Sequence, residues 1–116
     1  MATINVSGAT SRGAQVFEYK WETMGNADTG TSIETNNLVD MTVTIDGTFG
    51  SATVTIQGSN DGTNWHSMTD PQGNAVAKTA AAMEVLSEAP RYIRAITSGG
   101  TGTDVDVILL ARRALR

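Results

Sequence analysis

Residues 54–70 read VTIQGSNDGTNWHSMTD, and residues 91–96 read RYIRAI. In the first stretch Val54 and Ile56 alternate with threonine and glutamine, which is the period-two pattern of a strand with one buried face. The second stretch alternates in the same way, with Ile93 on the apolar side. Both stretches therefore predict strands of a sheet that is buried on one side.

The SNDG tetrapeptide at 59–62 predicts a turn in the middle of the first stretch. Gly62 tolerates the positive φ of a tight hairpin turn, and the Asn and Asp before it tolerate this region better than most residues. Beyond the turn, Trp65 and Met68 are predicted to return apolar side chains to the core. We expect Trp65, like Trp21, to be buried rather than to form a sugar-stacking platform. The stretch is thus predicted to be a β-hairpin, which indicates a binding or structural module.

Length and composition exclude several classes of protein. The chain has 116 residues, which fits one domain, and no cysteine, which excludes disulfides and favours a reducing compartment. Its 8 basic and 12 acidic residues give a net charge of −4, which argues against nucleic-acid binding. No apolar run approaches the ~20 residues of a membrane span, and the first residues lack the features of a signal peptide. We therefore expect synthesis in the cytoplasm, with neither a nucleic-acid nor a membrane partner.

Period-two alternation recurs along the rest of the chain. It is clearest at 39–45, where every second residue is apolar. We expect 46–50 to form a turn, after which 51–57 pairs back onto that strand. Further strands are predicted at 15–24, 91–97 and 103–112, and a further turn at 70–74.

This series of strands and turns predicts an all-β fold, an antiparallel β-sandwich or jelly roll of about seven or eight short strands. The segment 75–86 stays open between an extended strand with a loop and one or two helical turns, because its alanines favour helix but its length does not. We divide the chain into an N-terminal arm or short strand (1–12), the β-sandwich domain (13–112) and a basic C-terminal tail (113–116).

The predicted hairpin and the later strand resemble the β-sandwich of discoidin and galactose-binding-like domains, over about residues 50–112. In those domains an S-x-D-G-x-x-W hairpin is followed by an A-R-Y-I/V-R strand. The matching residues are Ser59, Asp61, Gly62, Trp65, Arg91, Tyr92, Ile93 and Arg94. The resemblance implies the same fold, an architecture that serves many functions.

A second resemblance covers the whole chain and points to structural proteins of tailed bacteriophages. It rests on DPQGNA at 70–75, RYIR at 91–94 and the glycine pair at 99–100, in that order. The chain looks like the capsid decoration, or cement, proteins that bind the outside of the icosahedral head. The resemblance implies a homo-oligomeric virion protein on the capsid surface, bound to the major capsid protein and stabilising the head. A carbohydrate-binding module of a phage fibre or tail component is the alternative.

The end of the chain supplies the first candidate partner-binding residues. Arg112, Arg113 and Arg116 belong either to a solvated terminus or to a docking segment for an acidic capsid surface. Docking would use guanidinium–carboxylate contacts, and it would require the tail to become ordered on binding.

The last predicted strand and one turn supply the remaining candidates. Ile108 and Leu110 share a face with two aspartates, so this face is expected to be covered by the N-terminal arm or by a neighbouring subunit. We expect a trimer or a dimer, and the local three-fold positions of capsid lattices favour the trimer. Phe49, in the 46–50 turn, would contact a ligand or the capsid if it is exposed and would plug the core if it is buried.

The sequence predicts no catalytic residues, no cofactor and no metal ion. His66 is the single histidine, and no Ser–His–Asp arrangement is marked around it. The turn at 60–62 lacks the spacing of an EF-hand, and the glycines at 99–102 lack the ending of a phosphate loop. Asp104 and Asp106 are expected to be solvated residues of a strand. We therefore expect the protein not to be an enzyme.

Overall fold

The computed structural model describes residues 3–11 and 16–113, with the backbone alone for residues 7–11. The described residues form twelve strands and no helix, and five of the strands have only two residues. The strands are β1 (Thr3–Ile4), β2 (Ser7–Ser11), β3 (Val16–Met24), β4 (Thr29–Gly30), β5 (Ile33–Glu34), β6 (Leu38–Thr48), β7 (Thr53–Ser59), β8 (His66–Ser67), β9 (Ala77–Lys78), β10 (Ala82–Val85), β11 (Tyr92–Ser98) and β12 (Asp104–Arg113). The all-β prediction is confirmed. The number of strands exceeds the predicted seven or eight because of the two-residue strands.

Two sheets pack against each other. Sheet A has the order β1-β4-β11-β7-β8, with β5 also paired to β11 and β9 to β7, whereas sheet B has the order β10-β6-β12-β3-β2. Among the described strands every ladder is antiparallel except that of β1 with β4. The fold is therefore the antiparallel β-sandwich that the alternation predicts. None of the described residues forms a helix long and apolar enough to cross a membrane.

The facing sides of the two sheets enclose one hydrophobic core. Every second residue of the central strands is buried, because successive side chains of a strand point to opposite faces. Trp21 is fully buried, as predicted, and its indole N–H donates a hydrogen bond to the Thr31 carbonyl at 2.7 Å. Removal of this apolar surface from water is the main term that stabilises the fold.

The predicted pairing of 51–57 with 39–45 is wrong. Strand β6 pairs with β10 and β12 in sheet B, whereas β7 pairs with β11 in sheet A. A turn closed by the Ala52 amide and the Phe49 carbonyl, 2.9 Å apart, carries the chain from one sheet to the other. The alternation alone cannot show whether the two strands pair in one sheet or lie in two facing sheets, because in both arrangements each strand buries one face in the same core.

The hairpin of β7 and β8 is confirmed, with Gly58 opposite His66 and a φ of 78° at Gly62. Met68 is buried, but the prediction of a buried Trp65 is wrong, since this side chain is half-exposed. Residues three positions apart in an extended chain point to opposite faces, so Met68 and Trp65 cannot both enter the core.

The segment 75–86 is extended and contains β9 and β10, which confirms the strand-and-loop alternative. Lys78 on sheet A and Glu84 on sheet B form an ion pair at 2.8 Å. This contact ties the two sheets together at their open edge.

Candidate binding surfaces

The turn at 59–64 is held together by its own polar side chains. The Ser59 hydroxyl accepts a hydrogen bond from the Gly62 amide at 2.9 Å, and the Asp61 carboxylate accepts from the amides of Asn64 and Thr63 at 2.8 Å each. These donors, the Asn64 amide first, hold the pKa of Asp61 far below its ordinary value. The carboxylate is thus engaged within the turn. Among the described residues no group of three His, Cys, Asp or Glu is placed to hold a metal ion.

Two aromatic rings and two arginines lie together on the outer face of sheet A. We call Trp65, Tyr92, Arg91 and Arg94 the aromatic–arginine cluster. Tyr92 and Arg94 alternate with the buried residues of β11, so both point outwards. The Arg94 guanidinium lies over the Trp65 ring, 4.1 Å from its centroid, and the Arg91 guanidinium lies 5.1 Å from the centroid of Tyr92.

Neighbouring side chains contact both arginines of the cluster. Arg94 Nε donates to Gln57 Oε1 on β7 at 2.9 Å. Burial lowers the pKa of Arg94, yet an arginine stays charged at neutral pH. Arg91 forms an ion pair with Glu34 at 3.5 Å, and its amide donates to Asn60 Oδ1 at 3.2 Å. Arg94 is therefore held in place within the cluster, whereas the ion pair of Arg91 is exposed and contributes little.

A strip of four apolar side chains lies on the outer face of sheet B. We call Met83, Val85, Ile108 and Leu110 the apolar strip. They form two rows across the sheet. In each row a threonine of β6 lies between the apolar residue of β10 and the apolar residue of β12. Met83 is 69% exposed and Val85 is 46% exposed, whereas Ile108 and Leu110 are half-buried. Exposed apolar residues gathered on one face are typical of a contact surface.

The structure separates the residues predicted to bind a partner. Arg112 is exposed on β12, on the same face as Ile108 and Leu110. Arg113 stacks on the Phe17 ring, 5.1 Å from its centroid, and lines an open groove of about 220 Å³. Phe49 is half-buried and packs against the core, as expected if it plugs the core rather than contacting a partner. Arg116 lies outside the described residues.

Met83 and Val85 are surface residues that the sequence alone does not indicate. Their alternation with Glu84 was a signal for a strand, but it did not indicate which face is outside. In the structure Glu84 points towards the inner face, where Lys78 binds it, so the two apolar residues point outwards. The half-buried carboxylate of Glu84 thus lies on the inner side of β10 with an ion-pair partner on the other sheet.

An open groove of about 330 Å³ lies along β8, between His66 and Pro90. Its polar groups serve the structure. The Ser59 hydroxyl belongs to the turn, and Glu88 accepts hydrogen bonds from the amide and hydroxyl of Thr69, the former at 2.8 Å. His66 is exposed. The groove therefore offers no carboxylate poised for acid–base chemistry.

The fold and its surfaces define the chain as a two-layer β-sandwich with an aromatic–arginine cluster on one outer face and an apolar strip on the other. No protein-family model and no curated protein matches this sequence. Among solved structures, the chain is similar to the SPBc2 prophage-derived protein YomS, with a TM-score of 0.67 and 12% identity over 89% of this chain and 99% of that chain. At this identity the likeness establishes the fold alone.

Two carbohydrate-binding modules also align with the chain. They are CBM32-3 from a family 31 glycoside hydrolase of Clostridium perfringens (TM-score 0.39, 14% identity, 93% of this chain and 73% of that chain) and CpGH89CBM32-6 of the same organism (TM-score 0.39, 13% identity, 94% and 76%). Likeness at this level carries no argument about binding.

Proposed function

We propose that the chain is a non-enzymatic structural protein of a phage particle, a capsid decoration protein that binds the major capsid protein through the outer face of sheet A. The observation that carries this proposal is the aromatic–arginine cluster. Trp, Tyr and Arg are the residue types most enriched among those that dominate the energy of protein interfaces. In this chain Arg94 is already held by Gln57 and lies over the Trp65 ring, so its binding costs less side-chain entropy.

Two findings support a phage particle as the place of action. The sequence resembles decoration proteins at residues 70–75, 91–94 and 99–100, and a protein derived from a prophage shares the fold over nearly its whole length. A protein of this kind needs neither catalysis nor a cofactor. A ligand that binds only the assembled shell stabilises that shell by mass action, and many weak contacts together give high avidity.

A carbohydrate-binding module of a fibre or tail is the second candidate, and the half-exposed ring of Trp65 is the feature that favours it. Such a ring needs a free face to stack on a sugar. Arg94 covers one face of the ring at 4.1 Å, which leaves at most the other face for a sugar, and Phe49 packs against the core instead of extending from its turn. The same cluster therefore fits a protein surface better than a sugar ring.

Binding to particles tests the proposal. Particles of the phage whose genome encodes the chain, prepared without this protein, are mixed with purified wild type, with Trp65→Ala and with Ser98→Ala, and then sedimented. Ser98 is the matched control, because it is exposed at the far end of β11. We expect wild type and Ser98→Ala to sediment with the particles, and Trp65→Ala to bind about 30-fold more weakly.

Absence of wild-type binding would overturn the proposal. A glycan array with the same three proteins covers the second candidate. Hits that Trp65→Ala abolishes, without particle binding, would assign the cluster to a sugar. Melting temperatures of all three proteins show that each variant is folded.

A further inference from the structure

The outward side chains of β12 form a graded series along one strand. Asp104, Asp106, Ile108, Leu110 and Arg112 alternate with buried residues and so share the outer face of sheet B. The two aspartates and the arginine are exposed, and the two apolar residues between them are half-buried. The strand thus presents an apolar centre with an acidic end and a basic end.

The neighbouring strands extend this pattern sideways into two rows. The row through Ile108 contains Met83, Thr44, Ile108 and Lys20. The row through Leu110 contains Val85, Thr42, Leu110 and Glu18. The rows are therefore alike except at β3, where one ends in a cation and the other in an anion. Within one chain, Lys20 Nζ lies 3.7 Å from Glu18 Oε1.

A two-fold rotation exchanges the two rows. The axis lies in the plane between two copies of sheet B and crosses the strands at the level of Leu109, so that the two β12 strands run antiparallel. Each row then faces the other row of the second copy. The facing pairs are Ile108 with Leu110, Met83 with Val85, Lys20 with Glu18, and Asp106 with Arg112, and each pair occurs twice.

The charges select this arrangement. If the two β12 strands ran parallel, Asp106 would face Asp106 and Arg112 would face Arg112, and opposed like charges are destabilising. In the antiparallel arrangement Asp106 faces Arg112 at both ends of the face. We propose that the outer face of sheet B binds the same face of a second copy of this chain, as a two-fold symmetric dimer.

Burial of the apolar strip provides the driving force for this dimer. Met83 and Val85 are 69% and 46% exposed, and no described strand lies over them. Sheets that pack face to face lie about 10 Å apart with strands crossing at about 30°, so the contacts near the axis are the closest. Ile108 and Leu110 therefore form the centre, and the charged pairs form the rim.

The proposed dimer does not depend on the proposed function. Dimerisation is measured on the purified chain without particles, so either proposal can fail while the other holds. It leaves the aromatic–arginine cluster free, since that cluster lies on the opposite face of the sandwich. The two clusters of a dimer point in opposite directions. On a particle, one copy would contact the shell and the other would project from it.

Charge exchange between two variants tests the dimer by sedimentation equilibrium of the full chain. Asp106→Arg alone and Arg112→Glu alone each place like charges at both rim contacts, so each is expected to raise the dissociation constant about tenfold. An equimolar mixture of the two variants restores both pairs in a heterodimer, and its dissociation constant is expected to return to the wild-type range. Arg91→Glu, on sheet A, is the matched control and should leave the constant unchanged.

Asp106 also accepts a hydrogen bond from the Thr23 amide at 2.8 Å, so the melting temperature of Asp106→Arg is measured alongside. The Arg112→Glu variant leaves that bond intact and tests the dimer even if the first variant is unstable. A wild-type chain that stays monomeric up to about 1 mM, or that forms trimers, would overturn the proposal. A mixture that dimerises no better than its separate components would overturn it as well.

Discussion

The contact between Arg94 and Trp65 decides whether the ring is covered, and it can be measured as a folding energy. The guanidinium lies 4.1 Å from the ring centroid, and Nε donates to Gln57 Oε1 at 2.9 Å. A cation–π contact at a partly exposed site contributes about 0.5–1 kcal/mol, and a net hydrogen bond contributes about 0.5–1.5 kcal/mol. Arg94→Ala is therefore expected to lower the free energy of unfolding by about 1–2.5 kcal/mol.

A double-mutant cycle isolates the ring contact from the hydrogen bond. Trp65→Ala, Arg94→Ala and the double variant are unfolded in urea, and the buried Trp21 reports the transition by its fluorescence. The bond to Gln57 is lost in both Arg94 variants and cancels, so the coupling energy is expected to be about 0.5–1 kcal/mol.

A second cycle between Arg94 and Ser98 is the control. The two residues lie on one strand without touching, so their changes should add within about 0.3–0.5 kcal/mol. A coupling between Arg94 and Trp65 no larger than this would refute the covered ring and would give the carbohydrate alternative its platform.

Two further predictions concern the stability of the sandwich. A Cβ at Gly30 would lie 2.5 Å from Trp21 Cδ1, so Gly30→Ala should cost about 1–3 kcal/mol in urea unfolding. At Gly73 a Cβ would meet no atom within 4 Å, but φ is 87°, so Gly73→Ala should cost about 1–2 kcal/mol through backbone strain alone. If Gly30→Ala costs less stability than Gly73→Ala, the tight packing around Gly30 is contradicted. The lowered pKa of Asp61 means that its carboxylate stabilises the fold above its unfolded pKa of about 4, and that this contribution is lost as the pH falls towards the folded value. Asp61→Asn should therefore reduce the fall in melting temperature between about pH 5 and about pH 2, and equal slopes for the two proteins would contradict it.

The sequence predicts the strands well and their partners less well. Alternation at 39–45 and 51–57 identifies two strands of this sandwich, because each buries one face. It does not identify their pairing, because strands of one sheet and strands of two facing sheets bury the same residues. The short 46–50 segment favoured a hairpin, yet the Phe49–Ala52 turn connects the two sheets instead.

The candidate surfaces were only partly predictable for a related reason. Ile108 and Leu110 were recognised because a strand with apolar residues on both faces needs a second cover. Trp65 is predicted to lie in the core because its neighbours alternate as in a strand with one buried face, whereas in the structure it lies outside, against Arg94, which is distant in sequence. The exposure of Met83 cannot be predicted, because a charged residue such as Glu84 is not expected on the inner side of a strand, where Lys78 binds it in the structure.

An electron cryo-microscopy map of the phage particle would show whether and how this protein sits on the shell. We expect sandwich-shaped density on the outside of the shell, with the face that bears Trp65 and Arg94 against the major capsid protein. Density in which that face points to solvent, or a shell without this protein, would contradict it.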